Sequence, residues 1–391
     1  MKRETRLIHS ARPPYESGRR PVNPPIVRAS TVDFASLAEM QSAMQPGVQS
    51  AQSFTYGVRG TPTVFALESL ITELEGGYGT KLYSSGLEAI SAVLLAYLRP
   101  GDHLLVVDTV YAPVRNLLES FLSDRGINFD YYRAHETDLE SLIKPETKMI
   151  YTESPGSVSM EIQDLAAIVA LATARKDILV ACDNTWASGY CFRPLEQGVD
   201  LSIVAGTKYL GGHSDVLMGS VTATESAFEK LHNTSVLLGL SVSADDAALT
   251  LRGARTLHIR YPAHAERAIA VAEWLKTRDE VVRVFYPPLS SSPDHALWVR
   301  DFDGAAGLFS IELDPRLKPR LAALLDSLQL FGLGASWGGF ESLVLPCDMT
   351  ANRSLDDWHN RGPVVRLHIG LEDPDDLIDD LSAGFRAMDC V

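Results

Sequence analysis

Between Lys81 and Val204 the chain repeats one pattern: short strand-like runs, mostly apolar, separated by turns or by segments of helix length. The runs are Lys81-Leu82-Tyr83, Leu104-Leu105-Val106-Val107, Ile127 to Tyr132, Lys148 to Tyr151, Ile178 to Ala181 and Leu201 to Val204. Helical spacing fits Leu87 to Leu98, Val114 to Leu122 and Leu165 to Ala174. Strands alternating with helices build βα units around a mostly parallel sheet. Such strands are covered on both faces, which explains why they read as solid apolar runs and not as alternation. The fold class expected is α/β.

The flanks read differently. Pro13-Pro14, Pro21, Pro24-Pro25 and Pro46-Gly47 break any periodic pattern, and no sustained helix fits before about Leu37. Ile26, Val27, Val32 and Phe34 still give this leader enough apolar content to pack on something, another subunit included. After about Arg255 a long helix fits Ala263 to Lys276, and Val281 to Tyr286 reads as a strand ended by Pro287-Pro288. Gly307 to Leu313, a helix-like Leu317 to Leu328 and Val364 to Ile369 complete a smaller α+β unit. The partition expected is an N-terminal arm (1–55), a large α/β domain (56–255) and a C-terminal α+β domain (256–391), which suits a length of 391 residues at roughly 150 per domain.

Composition narrows the function classes. Lys+Arg 35 against Asp+Glu 50 gives a formal net charge of −15, which argues against a nucleic-acid partner. The longest apolar stretch, Ala89 to Leu98, is too short to cross a bilayer, and Met1 to Arg6 leads into no hydrophobic run of a secretory signal. Cys182, Cys191, Cys347 and Cys390 lack C-x-x-C spacing, so neither a zinc site nor a disulfide framework is expected. A cytoplasmic protein without nucleic-acid or membrane partners is the expectation.

Lys208 is the most informative residue. It follows the buried-strand run Leu201 to Val204 within Gly206-Thr207-Lys208-Tyr209-Leu210-Gly211-Gly212, whereas the other lysines sit in polar, surface-like contexts. An ammonium at the end of a buried strand loses hydration unless it is paired or neutralised. A lysine whose pKa is lowered in this way can form a Schiff base and then act as a base; a strand-end lysine reaching solvent is the alternative. Upstream, Ile178 to Ala181 leads into Asp183-Asn184-Thr185-Trp186, an aspartate at the carboxyl end of a strand, where open α/β sheets bind ligands. It can equally be a helix cap. Together, a lysine for an imine and an aspartate to keep a pyridine nitrogen protonated match the needs of pyridoxal phosphate.

Ser84-Ser85-Gly86-Leu87 then supplies a candidate phosphate site, because the strand-to-helix turn presents the first amides and the positive dipole end of the helix. Tyr111, after the next strand, can lie flat on an aromatic ring or simply pack in the core. Arg366, between Val365 and Leu367, wants a carboxylate partner from the protein or from a substrate. Two patterns point elsewhere. Gly334-Ala335-Ser336-Trp337-Gly338 matches the G-x-S-x-G hydrolase elbow, but an extended stretch follows it where the elbow requires a helix. His213-Ser214-Asp215 puts triad residue types side by side, whereas triads assemble from distant positions.

The chain resembles, nearly end to end, the Cys/Met-metabolism group of fold-type I pyridoxal-phosphate enzymes. The resemblance is carried by Tyr56-Gly57-Val58-Arg59-Gly60-Thr61, Glu73-Leu74-Glu75-Gly76-Gly77, Glu153-Ser154-Pro155-Gly156-Ser157, Asp183-Asn184-Thr185-Trp186, Thr207-Lys208-Tyr209, Ser336-Trp337-Gly338-Gly339-Phe340-Glu341-Ser342-Leu343 and Arg366-Leu367-His368-Ile369-Gly370. It implies that Lys208 holds pyridoxal 5'-phosphate covalently, that Asp183 pairs with its ring nitrogen and that Tyr111 stacks on the ring. It further implies that Gly86 and Leu87 amides and the Thr207 hydroxyl bind the phosphate, while Arg366 and Ser336 fix the substrate carboxylate. Tyr56 would reach the site from a neighbouring subunit, in a tetramer built as a dimer of dimers, with the proline-rich leader as an intersubunit arm. Metal is not implied.

Ser336-Trp337 is similar to the branch that eliminates at the β-carbon. The implied reaction is therefore carbon–sulfur β-elimination on L-cystathionine, giving homocysteine, pyruvate and ammonia. Three alternatives stay open: γ-chemistry, a broader cysteine-S-conjugate lyase or desulfhydrase, and a cofactor-poor interaction protein. Three positions depart from the family pattern. Ala335 stands where β-acting relatives carry an aromatic residue. Val58 stands where relatives commonly carry an arginine for the adjacent subunit's phosphate. Arg59 next to it is not expected to substitute, because adjacent side chains of an extended segment point to opposite faces. Ala205 stands where relatives often have serine.

Overall fold

The computed structural model describes residues 1–45, 51–175 and 177–389; Pro46-Gly47 and Cys390 lie outside them. The larger sheet is built from β1 (Gly79–Tyr83), β2 (His103–Val107), β3 (Asn128–Tyr132), β4 (Thr147–Glu153), β5 (Leu179–Asp183), β6 (Leu201–Val204) and β7 (Gly219–Ala223). Their order across the sheet is β1-β7-β6-β5-β4-β2-β3. All neighbours pair in parallel except β7, which is antiparallel to both β1 and β6. The six runs read from the sequence are thus all strands of one sheet. Strand β2 is buried at every position, as burial on two faces requires.

Strand β7 carried no sequence signal because Gly-Ser-Val-Thr-Ala shows no apolar run. It is nevertheless fully buried, and its hydroxyls find partners inside: Thr222 Oγ1 lies 2.8 Å from Thr80 Oγ1 on β1. Polar side chains satisfied by a neighbouring strand are tolerated in a core.

The smaller sheet, ordered β10-β11-β12-β9-β8, comprises β8 (Val281–Phe285), β9 (Leu308–Leu313), β10 (Gly332–Leu333), β11 (Leu343–Cys347) and β12 (Val364–His368). It is antiparallel except for the β10–β11 pair. One contiguous apolar core includes buried residues of both sheets, such as Val106 and Val180 from the first and Phe309 and Leu367 from the second.

Three elements differ from the sequence reading. The leader contains a seven-residue helix, Arg3–His9, docked through Leu7 and through Arg255, which donates to the Leu7 and Ile8 carbonyls. The long helix begins six residues earlier than expected and spans Leu257–Leu275 with Pro262 inside it. Burial of Leu257, Arg260 and Tyr261 outweighs the lost hydrogen bond. The His258 carbonyl that proline cannot serve has the Tyr190 hydroxyl 3.5 Å away. Residues Gly57–Arg59 form one 3₁₀ turn, not an extended segment. Among the described residues, no helix is long and apolar enough to cross a membrane.

Candidate active site

Parallel strands end on the same side, so the carboxyl ends of β1, β2, β4, β5 and β6 deliver their following residues to one edge of the sheet. That edge is where α/β sheets bind ligands. Strand β6 delivers Lys208, β5 delivers Asp183, β4 delivers Glu153, β2 leads to Tyr111, and β1 leads to Ser84-Ser85-Gly86. From the smaller sheet, β12 carries Arg366, and the turn after β10 carries Ser336 and Trp337.

The helix Gly86–Tyr97 opens this edge. Ser85 caps it by accepting the Glu88 N–H at 3.1 Å, and the Glu88 carboxylate reaches back to the Ser84 N–H at 2.5 Å and the Ser84 hydroxyl at 2.7 Å. The amides of Gly86 and Leu87 keep no partner among the described residues, as expected at a helix start. Glycine is needed at 86 because a Cβ there would lie 2.7 Å from the Ala205 Cβ. The helix start is thereby pressed against the end of β6, next to Thr207 and Lys208. Thr207 itself is engaged on the backbone: its hydroxyl accepts the Met218 N–H at 2.9 Å and donates to the Met218 carbonyl at 3.2 Å.

Asp183 is 8 % exposed. Its Oδ1 accepts the Thr185 N–H at 3.0 Å and the Thr185 hydroxyl at 2.5 Å, while Oδ2 has no partner among the described residues. Burial raises its pKa, opposed by those two hydrogen bonds and by the charge of Lys208. A buried carboxylate with one oxygen held in place and the other left free is what a cationic ring nitrogen would complete.

The Lys208 ammonium donates to Ser336 Oγ at 2.6 Å and lies 5.3 Å from the centre of the Trp337 ring. Burial, reinforced by the positive charge of Arg366 and opposed by Asp183, pulls its pKa down to about 8. Arg366 Nη2 donates to the Ser336 carbonyl at 3.2 Å. Tyr111, 43 % exposed, starts the helix Ala112–Leu117, and the charges of Glu153, Arg366 and Asp183 all act on its phenol, whose pKa is raised chiefly by burial. Lys208, Asp183, Arg366, Ser336, Trp337 and Tyr111 therefore converge. Tyr56 shares no hydrogen bond or charge interaction with them: it is 52 % exposed, with its backbone bridged to Thr31.

Glu153 was named in the sequence without a role. The register places it beside Asp183, where Oε2 accepts the Tyr111 N–H at 2.7 Å and Oε1 accepts the Ser157 hydroxyl at 2.5 Å. Burial and the neighbouring Asp183 charge push its pKa up. Lys81 corrects the reading of every lysine but Lys208 as surface-like. It is 7 % exposed and paired at 2.6 Å with the buried Glu68 carboxylate. The hydrolase elbow is not formed, because no helix follows Ser336.

The residues present fit pyridoxal phosphate: a lysine of lowered pKa, a buried carboxylate with one free oxygen, and free amides at a helix start share one edge. The comparisons agree. The model of the family described as "Cys/Met metabolism PLP-dependent enzyme" matches residues 4–386. The chain is 45 % identical to a cystathionine beta-lyase of Bordetella avium over 97 % of this chain and 96 % of that one. It is 40 % identical to the cystathionine beta-lyase MetC of Escherichia coli over 99 % of each. It is also similar to a solved structure, cystathionine gamma-lyase from Lactobacillus plantarum complexed with L-serine, with TM-score 0.89, 31 % identity and full coverage of both chains. A fold-type I architecture, a lysine–aspartate pair on the ligand-binding edge and likeness along nearly the whole length all lead to one assignment: the chain belongs to the Cys/Met-metabolism family of pyridoxal-phosphate-dependent enzymes.

Proposed function

We propose that the enzyme is a carbon–sulfur β-lyase that cleaves L-cystathionine to homocysteine, pyruvate and ammonia. The observation that carries this reading is Lys208, desolvated to a pKa of about 8, within hydrogen-bond reach of Ser336 and beside Trp337 and Arg366. When bound, pyridoxal phosphate supplies the electron sink for charge released at the substrate α-carbon. Arg366 grips the substrate carboxylate, because a guanidinium recognises it bidentately. Lys208, neutral above about pH 8, takes the α-proton and then returns a proton to the departing sulfur. Asp183 presents its free oxygen to hold a proton on the ring nitrogen, with Thr185 fixing the other oxygen. The free amides of Gly86 and Leu87 would hold the phosphate group when the cofactor is bound.

A broader C–S lyase is the second reading. It is favoured by Ala335, which is exposed next to Ser336 and offers only a methyl group where a larger side chain would narrow the site. The same proposal places Tyr56 in a neighbouring subunit's site within a dimer-of-dimers tetramer, and the enzyme in the cytoplasm, where free Cys182, Cys191 and Cys347 stay reduced.

The test is product identity. With L-cystathionine the purified holoenzyme should release pyruvate; 2-oxobutyrate would establish γ-chemistry instead, and no keto acid would refute both.

A further inference from the structure

The turn carrying Ser336 and Trp337 is tied at three points. Arg366 holds the Ser336 carbonyl, the Lys208 ammonium holds the Ser336 hydroxyl, and the Gly338 N–H donates to Nε2 of His368 at 3.0 Å. The ties matter because the backbone is strained at Ser336, whose φ is +88° with a side chain attached. The turn also rests on the lysine, since a Cβ at Gly338 would lie 2.8 Å from the Lys208 carbonyl carbon and 2.9 Å from its Cα. Arg366 and His368 are two residues apart on β12, so both side chains leave the same face of the sheet.

We propose that His368 is a positioning residue for Lys208, acting through the Gly338 turn that its Nε2 holds against the lysine backbone. His368 Nε2 faces both the Gly338 N–H and, at 3.1 Å, the Gly339 carbonyl. The neutral ring can accept from the Gly338 N–H or donate to the Gly339 carbonyl, and either contact pins the same turn. His264, whose ring lies 5.3 Å from that of His368, donates from Nδ1 to the Ile369 carbonyl at 2.9 Å. Both rings are almost fully buried, and the cations Arg366, Lys208 and Arg260 nearby further disfavour a charged imidazole.

The role rests on the proposed work of Lys208, and the experiment separates the two. In His368→Gln the amide oxygen can replace the Nε2 lone pair; in His368→Asn the oxygen sits nearer the backbone and cannot. The holoenzymes are compared for kcat and KM with L-cystathionine and for the pH midpoint of the lysine-bound cofactor's visible absorbance. His368→Gln should keep kcat within about threefold, and His368→Asn should lose about tenfold or more with a shifted pH midpoint, as expected for one hydrogen bond acting on a strained turn. Equal damage in both variants, or a wild-type midpoint and kcat in His368→Asn, would overturn the proposal. If either variant does not fold, amide hydrogen exchange at Gly338 in the wild-type holoenzyme decides: a strongly protected N–H supports the tie to His368, and rapid exchange overturns it. That arm is independent of which substrate is cleaved.

Discussion

Lys208 and Lys81 are both withdrawn from water, in different surroundings. Lys208 has no carboxylate in contact among the described residues, so burial and Arg366 lower its pKa to about 8. Lys81 is paired with the Glu68 carboxylate at 2.6 Å. Because only the neutral amine accepts a proton, kcat should rise with pH up to a plateau above about 8. A pH–kcat profile whose limb lies near the ordinary lysine value, about 10.4, would contradict this. Lys81→Met leaves the Glu68 carboxylate buried and unpaired, and should cost about 3–5 kcal/mol in denaturant unfolding. The double variant Lys81→Met/Glu68→Gln should recover most of that loss. Lys208 was legible because a strand run leads straight into it. Lys81 was not, because its partner lies on a separate helix and only the tertiary fold brings the two together. Glu153 was missed for the same reason: nothing in its own segment reveals that β5 will set Asp183 beside it.

Among the elements, the apolar parallel strands were readable and the polar antiparallel β7 was not, because hydroxyls paired across strands leave no hydrophobic trace. The turn Gly57–Arg59 was misread as extended, yet the consequence for Val58 survives. A 3₁₀ turn has three residues per turn, so neighbouring side chains diverge by about 120°. The Arg59 charge acts on His232 of its own chain, helping burial and Lys81 to lower that imidazole to about 4. Under the proposed intersubunit arrangement, Val58→Arg should add a charge-assisted phosphate contact and tighten the cofactor dissociation constant by about tenfold. Equilibrium titration of apoenzyme measures it, and unchanged affinity would contradict the prediction.

For the molecule as a whole, the two-sheet architecture followed from the sequence pattern, while the intersubunit role proposed for the arm needs a surface that one chain cannot complete. Tyr15, Val22, Leu37 and Tyr56 are all more than half exposed along the leader and its end. If Tyr56 serves a neighbour's site, co-expressed Tyr56→Ala and Lys208→Ala chains should form mixed dimers with one intact site each. Random pairing then restores activity to about a quarter of wild type, although each variant alone is nearly inactive. No recovery would place Tyr56 outside the neighbouring site. Every role assigned to the site depends on which amine carries the cofactor. Borohydride reduction of the holoenzyme followed by peptide mapping measures this directly. The predicted result is a single pyridoxyl adduct on Lys208; an adduct on Lys81 or any other lysine, with Lys208 unmodified, would contradict it.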